Sequence, residues 1–194
     1  HLSSLLATYA VNMIIIGVGT VVFSTSFRNV DFSLGTINLG PINVTGNRVA
    51  AALIALLVTA LLYGFLYRTR QGKSIRAVAN NRSAAELMGI ASTRVLALAF
   101  GIGTMLAAVS GSLIAMSLPF TILSGGVYEL KSFVIVVLGG LGNPLGALLG
   151  GVILGLIEGM VPVFMDTSWT PVLEFVLFIV ILLVMPQGLF GAKK

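Results

Sequence analysis

The chain has 194 residues, of which 57% are hydrophobic and 9% charged, and its net charge is +5. Soluble domains carry roughly 25% charged residues, so this chain lacks the charges to coat a water-facing surface, and the composition indicates a membrane protein. Cys is absent and the single His is residue 1, which excludes a disulfide framework and a Cys/His metal site. The basic excess does not indicate nucleic acid, because base-stacking aromatics on a basic soluble face are missing and the cations lie beside apolar runs.

The opening stretch has no initiator Met, no basic leader and no small-residue cleavage site, so it is unlike a signal peptide and reads as a piece of a longer chain. Crossing about 30 Å of hydrocarbon takes roughly 20 helical residues. Runs without interior Lys or Arg at 2–24, 49–67, 95–117 and 171–187 meet or approach that requirement. Between the first two, residues 25–48 alternate apolar and polar around Leu39-Gly40-Pro41-Ile42, which predicts an extracytoplasmic loop holding a small hairpin.

Arg68, Arg70, Lys73, Arg76, Arg82 and Arg94 all fall between the second and third spans, against Arg28 and Arg48 in the preceding loop. Cytoplasmic loops collect Lys and Arg, so residues 68–94 are assigned to the cytoplasmic side, where this set meets the membrane surface and Arg68, Arg70 and Arg94 reach anionic lipid headgroups. Within that loop, Ile75, Val78 and Ala79 share one helical face, as do Ala84, Leu87 and Met88, predicting two short helices that each expose an apolar stripe. Asn81 or Ser83 can cap the second, Ser83 to Glu86 has the form of a capping box, and Gly89 can end it. Such a helix suits docking into a groove on another protein. Gly72-Lys73-Ser74 resembles the end of a phosphate-binding loop, but Tyr67 stands where that motif needs Gly and no strand precedes it, so nucleotide binding by this chain is rejected.

Residues 129–160 are too many for one straight span and too few for two. Gly139, Gly140, Gly142, Asn143 and Pro144 break the segment, predicting a helix over 130–138, a turn, and a returning helix over 145–160. A re-entrant hairpin of this kind also brings Lys193 and Lys194 to the cytoplasmic side with the C-terminus. Gly142, Gly146 and Gly150, then Gly151, Gly155 and Gly159, recur at four-residue spacing, which admits close helix packing or a backbone-lined path. Glu158 and Glu174 read as structural ion pairs or hydrogen bonds, or as groups lining that path; Glu129 and Lys131 read as an interfacial pair. The broken-helix residues and Glu158 are the path candidates. One terminal His, no Cys and serines without a base leave no catalytic constellation, so the chain is expected to be no enzyme.

Five stretches together resemble the transmembrane permease subunits of branched-chain amino acid ABC importers: RTRQGKSIRAVA from Arg68, AAELMGI from Ala84, FVIVVLGGLG from Phe133, GVILGLIE from Gly151, and MPQGLFG from Met185. The resemblance covers nearly the whole chain and implies an all-α polytopic protein, one permease domain over residues 1–194, with the family's N-terminal spans missing. It implies ATPase coupling through Ala84, Ala85, Glu86, Leu87, Met88 and Gly89, although Ser83 stands where many importers have Glu. By the same resemblance the partners are a second permease subunit, identical or different, two cytoplasmic ABC ATPase subunits that hold ATP and Mg²⁺, and an extracytoplasmic substrate-binding protein. No cofactor is expected in this chain. Close relatives serve urea and amides, which stays open as an alternative. An ion-coupled secondary transporter is a rival, though no matching broken segment is found in a second half, and so is a non-transporting membrane scaffold.

Overall fold

The structure is a computed structural model that describes residues 2–30, 35–39, 42–185 and 188. Among the described residues eight α-helices follow in chain order, interrupted by one hairpin and a single 3-10 turn at Thr167–Trp169. Helix α1 is Leu2–Phe23, α2 Gly46–Arg68, α3 Arg70–Asn80, α4 Arg82–Leu87, α5 Ser92–Ala115, α6 Ser124–Gly139, α7 Pro144–Phe164 and α8 Thr170–Val184. Five of the described helical segments are long and apolar enough to cross a membrane, ending at Phe23, Arg68, Ala115, Phe164 and Val184. The protein is an all-α, multi-pass membrane chain with a small β appendage.

That appendage is the hairpin expected between the first two spans. Strands β1, Thr36–Leu39, and β2, Ile42–Thr45, are antiparallel with Leu39 opposite Ile42. Gly40 and Pro41, expected at the turn, lie outside the described residues, as do Gln187, Lys193 and Lys194. At the hairpin's base the Gly46 N–H donates to the Gly35 carbonyl at 2.8 Å, and Gly35 takes φ +78°. The chain just after α1 is fixed to the α5–α6 loop by reciprocal Arg28 and Phe120 backbone bonds of 2.9 and 3.0 Å.

The broken segment is an α-helical hairpin longer than its apolar core. Helix α6 starts at Ser124 rather than residue 130, and α7 continues to Phe164 rather than stopping at 160. The extra turns at the start of α6 are local in origin: Gly125 and Gly126 are exposed with nothing within 4 Å, while the Ser124 hydroxyl accepts from the Thr121 N–H at 3.0 Å just before the helix. With 21 residues α7 is long enough to span by itself. The turn between the helices uses Gly140 at φ +90° and Gly142 at φ +87°. Asn143 then caps α7 by accepting from the Leu145 N–H at 3.2 Å, with Pro144 at the first helical position.

Glycine sets how closely α6 and α7 approach. A Cβ on Gly139 would collide with the backbone of Gly146 and Ala147, and one on Gly150 would stand 2.8 Å from the Ile135 carbonyl. Gly155 and Gly159, by contrast, have nothing within 4 Å. Gly139, Gly146 and Gly150 thus lie in the close α6–α7 contact, whereas Gly142 in the turn and the later end of the second series have nothing against them. Helix α8 closes the group by packing on both α6 and α7.

Candidate functional site

The basic loop folds into a corner made of α2, α3, α4 and the start of α5. Thr69 forms the corner: its side chain accepts from the Gly72 N–H at 3.0 Å and its hydroxyl donates to the Phe65 carbonyl at 2.7 Å. Gly72 is required there, because a Cβ would collide with the Phe65 carbonyl oxygen and the Leu66 backbone. The residue that looked like part of a phosphate loop is therefore a packing glycine. Val78 on α3 is buried and Ile75 half-buried, with α3 lying against α5. Most of the first apolar stripe consequently faces the protein, Ala79 alone of its three residues staying exposed as the periodicity suggested.

Helix α4 behaves differently. Asn81 is its cap, accepting from the Ala84 N–H at 3.1 Å. The Ser83–Glu86 capping box is not formed, because Glu86 is turned elsewhere: it accepts from Arg82 Nε at 3.0 Å and from the Ser92 hydroxyl. Ser92, buried at the start of α5, thereby pins the short helix to a spanning one. The Ser92 hydrogen bond first, and Arg82 second, hold the Glu86 carboxyl below the ordinary carboxylate range.

The end of α4 is a Schellman turn. The Ile90 N–H donates to the Ala85 carbonyl at 3.1 Å and the Gly89 N–H to the Glu86 carbonyl at 3.0 Å, with Gly89 at φ +81°. Ala85 is buried, whereas Leu87 and Met88 are 89% and 83% exposed. Two large apolar side chains are thus presented side by side on a helix held at both ends.

All six basic residues of the loop are exposed. The Arg76 guanidinium stacks 4.2 Å from the Tyr67 ring centroid, and Arg82 pairs with Glu86.

A second cluster lies where α6, α7 and α8 meet. Lys131 forms an ion pair with Glu158, and its Nζ stands 3.9 Å from Glu174. Glu129 is not its partner: two residues apart on a helix point to opposite sides, and among the described residues Glu129 forms no ion pair. Glu174 is buried, and its Oε1 accepts no hydrogen bond among the described residues. Pro162, inside the continuous α7, lacks the N–H that would close onto the Glu158 carbonyl. Among the described residues no three His, Cys, Asp or Glu side chains are grouped to hold a metal.

The path candidates divide. Gly139 and Gly140 are buried in the α6–α7 contact, while Gly142 and Asn143 shape its turn. Pro144 borders a cleft of about 550 Å³ between α2, α5 and α7, lined almost wholly by apolar and small side chains such as Val58, Leu106, Ala147 and Gly151, with Thr59 and Ser110 as its hydroxyls. Glu158 belongs to the ion-pair cluster instead. The periodicity reading did not single out Ser92, and only its position six residues after Glu86 hinted at the link.

The family described as branched-chain amino acid transport system, permease component, matches residues 2–185. The chain is 35% identical over 156 residues to the high-affinity branched-chain amino acid transport system permease protein LivH of Escherichia coli K12, covering 78% of this chain and 50% of that one. It is 32% identical over 167 residues to the corresponding permease BraD of Pseudomonas aeruginosa, covering 84% and 54%. It is 30% identical over 152 residues to the fructose import permease protein FruG of Bifidobacterium longum, covering 73% and 45%. The chain spans about half the length of the curated relatives it matches. No solved structure matches it. Multi-pass helices and these matches agree, and the chain belongs to the branched-chain amino acid transport permease family.

Proposed function

We propose that this chain is the permease part of an ATP-driven importer in the inner membrane, carrying branched-chain or related amino acids and coupled to partner ATPase subunits through α4. One observation carries the coupling: Leu87 and Met88 are almost fully exposed on a helix that Asn81, Gly89 and Ser92 hold rigid. Apolar side chains on a rigid short helix cost energy in water and suit a groove on another protein. The Lys and Arg count of the loop supports placing that helix in the cytoplasm. ATP and Mg²⁺ would be held by the two ATPase subunits, and this chain would contribute no cofactor and no catalysis.

The solute would cross at an interface with a second permease subunit, delivered by an extracytoplasmic binding protein. The apolar cleft beside Pro144 supports a solute with an aliphatic side chain. Similarity to proteins named for branched-chain amino acids favours that solute class over urea or sugars.

Co-purification from native membranes tests the coupling. An ATPase should accompany the wild type and be lost with Leu87→Arg, while membrane insertion is unchanged. An ATPase retained by Leu87→Arg removes α4 as the docking element, and its absence from both forms removes ATP coupling. Reconstituted uptake of labelled leucine against urea tests the solute, and urea moving where leucine fails overturns the assignment.

A further inference from the structure

We propose that the cleft between α3 and α5 is a binding site for an anionic phospholipid, with Arg70 and Arg94 gripping its phosphate and an acyl chain lying on Ile75, Val95 and Leu98. The cleft measures about 220 Å³, enough for a headgroup but not a whole lipid, so the chains run out along α5. Its lining combines those two arginines and three apolar residues with Gln71 and Ser74, and no acidic residue.

Three observations select this occupant. The other cations of the corner are engaged or lie off the cleft: Arg76 stacks on Tyr67 and Arg82 pairs with Glu86. Among the described residues neither Arg70 nor Arg94 forms an ion pair or a ring contact, so two arginines line one cleft that holds no acid. An anion seated there would find positive charge on the lining and no acid to compete for it, and a guanidinium fork matches phosphate oxygens in two-point contacts.

The floor distinguishes a lipid from a free anion. Val95 and Leu98 lie in the first two turns of α5, a helix long and apolar enough to span, so the apolar side of the cleft opens at the membrane boundary. Helix α3 begins immediately after spanning helix α2 and packs on α5, which sets its arginines at the same level. Phosphate above and hydrocarbon below is the arrangement of a bilayer leaflet. A small soluble phosphate would have no use for the floor, and a protein carboxylate would have to reach into the acyl region. This site goes beyond the transport reading and needs only that the chain be embedded in a membrane.

The test is thermal unfolding of the purified chain in neutral detergent with dioleoyl phosphatidylglycerol, dioleoyl phosphatidylcholine or glycerol phosphate added. Phosphatidylglycerol well above its dissociation constant should raise Tm by about 5 °C more than phosphatidylcholine does, and glycerol phosphate should not. Arg70→Gln/Arg94→Gln should lose most of that shift, and Arg48→Gln/Lys73→Gln, with the same charge change off the cleft, should keep it. Arg70→Lys/Arg94→Lys retains the charge and tests the fork: the shift should fall below half. Protection by glycerol phosphate equal to that by lipid overturns the acyl part and leaves a free-anion site. An undiminished shift in the lysine variant, or an equal loss in the off-cleft control, overturns the site in favour of diffuse attraction. Loss of a co-purifying ATPase in the glutamine variant with the lipid shift intact overturns it in favour of a protein contact.

Discussion

Lys131 on α6 pairs with Glu158 on α7, and the same ammonium lies 3.9 Å from Glu174 on α8. One cation therefore ties three helices, and two carboxylates depend on it. The arrangement explains why charged residues are retained in otherwise apolar helices: each is unfavourable alone in hydrocarbon and tolerable together.

Removing the cation should be costly. Lys131→Met leaves two carboxylates facing each other, and breaking a buried pair by deleting one partner costs about 3–5 kcal/mol; the partial exposure of Lys131 and Glu158 reduces this to roughly 2 kcal/mol. Glu158→Gln in the Lys131→Met background should restore part of the loss. Thermal unfolding of the four combinations should give a coupling of about 1 kcal/mol or more. Strictly additive losses would show that the pair is not an energetic unit.

Glycines in the α6–α7 contact and glycines beyond it should respond oppositely to alanine. Gly150→Ala drives a methyl to 2.8 Å from the Ile135 carbonyl and should cost about 1–3 kcal/mol, because backbone cannot rotate aside. Gly139→Ala meets backbone more closely and should cost more. Gly155→Ala meets nothing within 4 Å and should be neutral or stabilise the isolated chain by about 0.5–1 kcal/mol. Melting temperatures of the three variants check the order, and a destabilising Gly155→Ala would overturn it.

What could be read from the chain and what could not follows a physical division. Four span positions were legible because about 20 apolar residues have few other uses, but α7, read as the returning arm of a re-entrant hairpin, is itself long and apolar enough to span. The hairpin at 36–45 and the stop at Gly89 were legible because alternation and a left-handed glycine are local signals. The partner of Lys131 was not: Glu129 is nearer in sequence, but Glu158 lies 27 residues away on the facing helix. Glu86 likewise satisfied a local capping pattern with Ser83, yet the tertiary contact with Ser92 took the carboxylate. Periodicity also gave α3 and α4 the same kind of stripe. Only packing against α5 separates a buried Val78 from an exposed Leu87.

The turn at Gly89 offers a test of rigidity separate from contact. Its φ of +81° costs an L-residue roughly 1–2 kcal/mol, while no atom lies near enough to clash with a new methyl. Gly89→Ala should therefore fray α4 from its C-terminal end without disturbing the spans. Gly89→Asn, which tolerates the left-handed region better, should fray it less. Amide hydrogen exchange over residues 82–90 checks the ranking, and equal protection in all three forms would remove the Schellman turn as the restraint.

Acid should release α4 from α5. The Glu86 carboxyl is held below its ordinary range by the Ser92 hydroxyl and Arg82, so its folded pKa lies under its unfolded value of about 4.3. A depressed carboxylate contributes stability that is complete above the unfolded pKa and disappears as pH falls through the folded one. Between neutral pH and about 5 the attachment should hold, and below the ordinary carboxylate range exchange at residues 82–90 should accelerate relative to α5. Ser92→Ala removes the stronger of the two partners and should both weaken the attachment at neutral pH and move the acid transition upward. Glu86→Gln should abolish the transition, since nothing remains there to protonate. An acid transition that persists in Glu86→Gln would place the titrating group elsewhere.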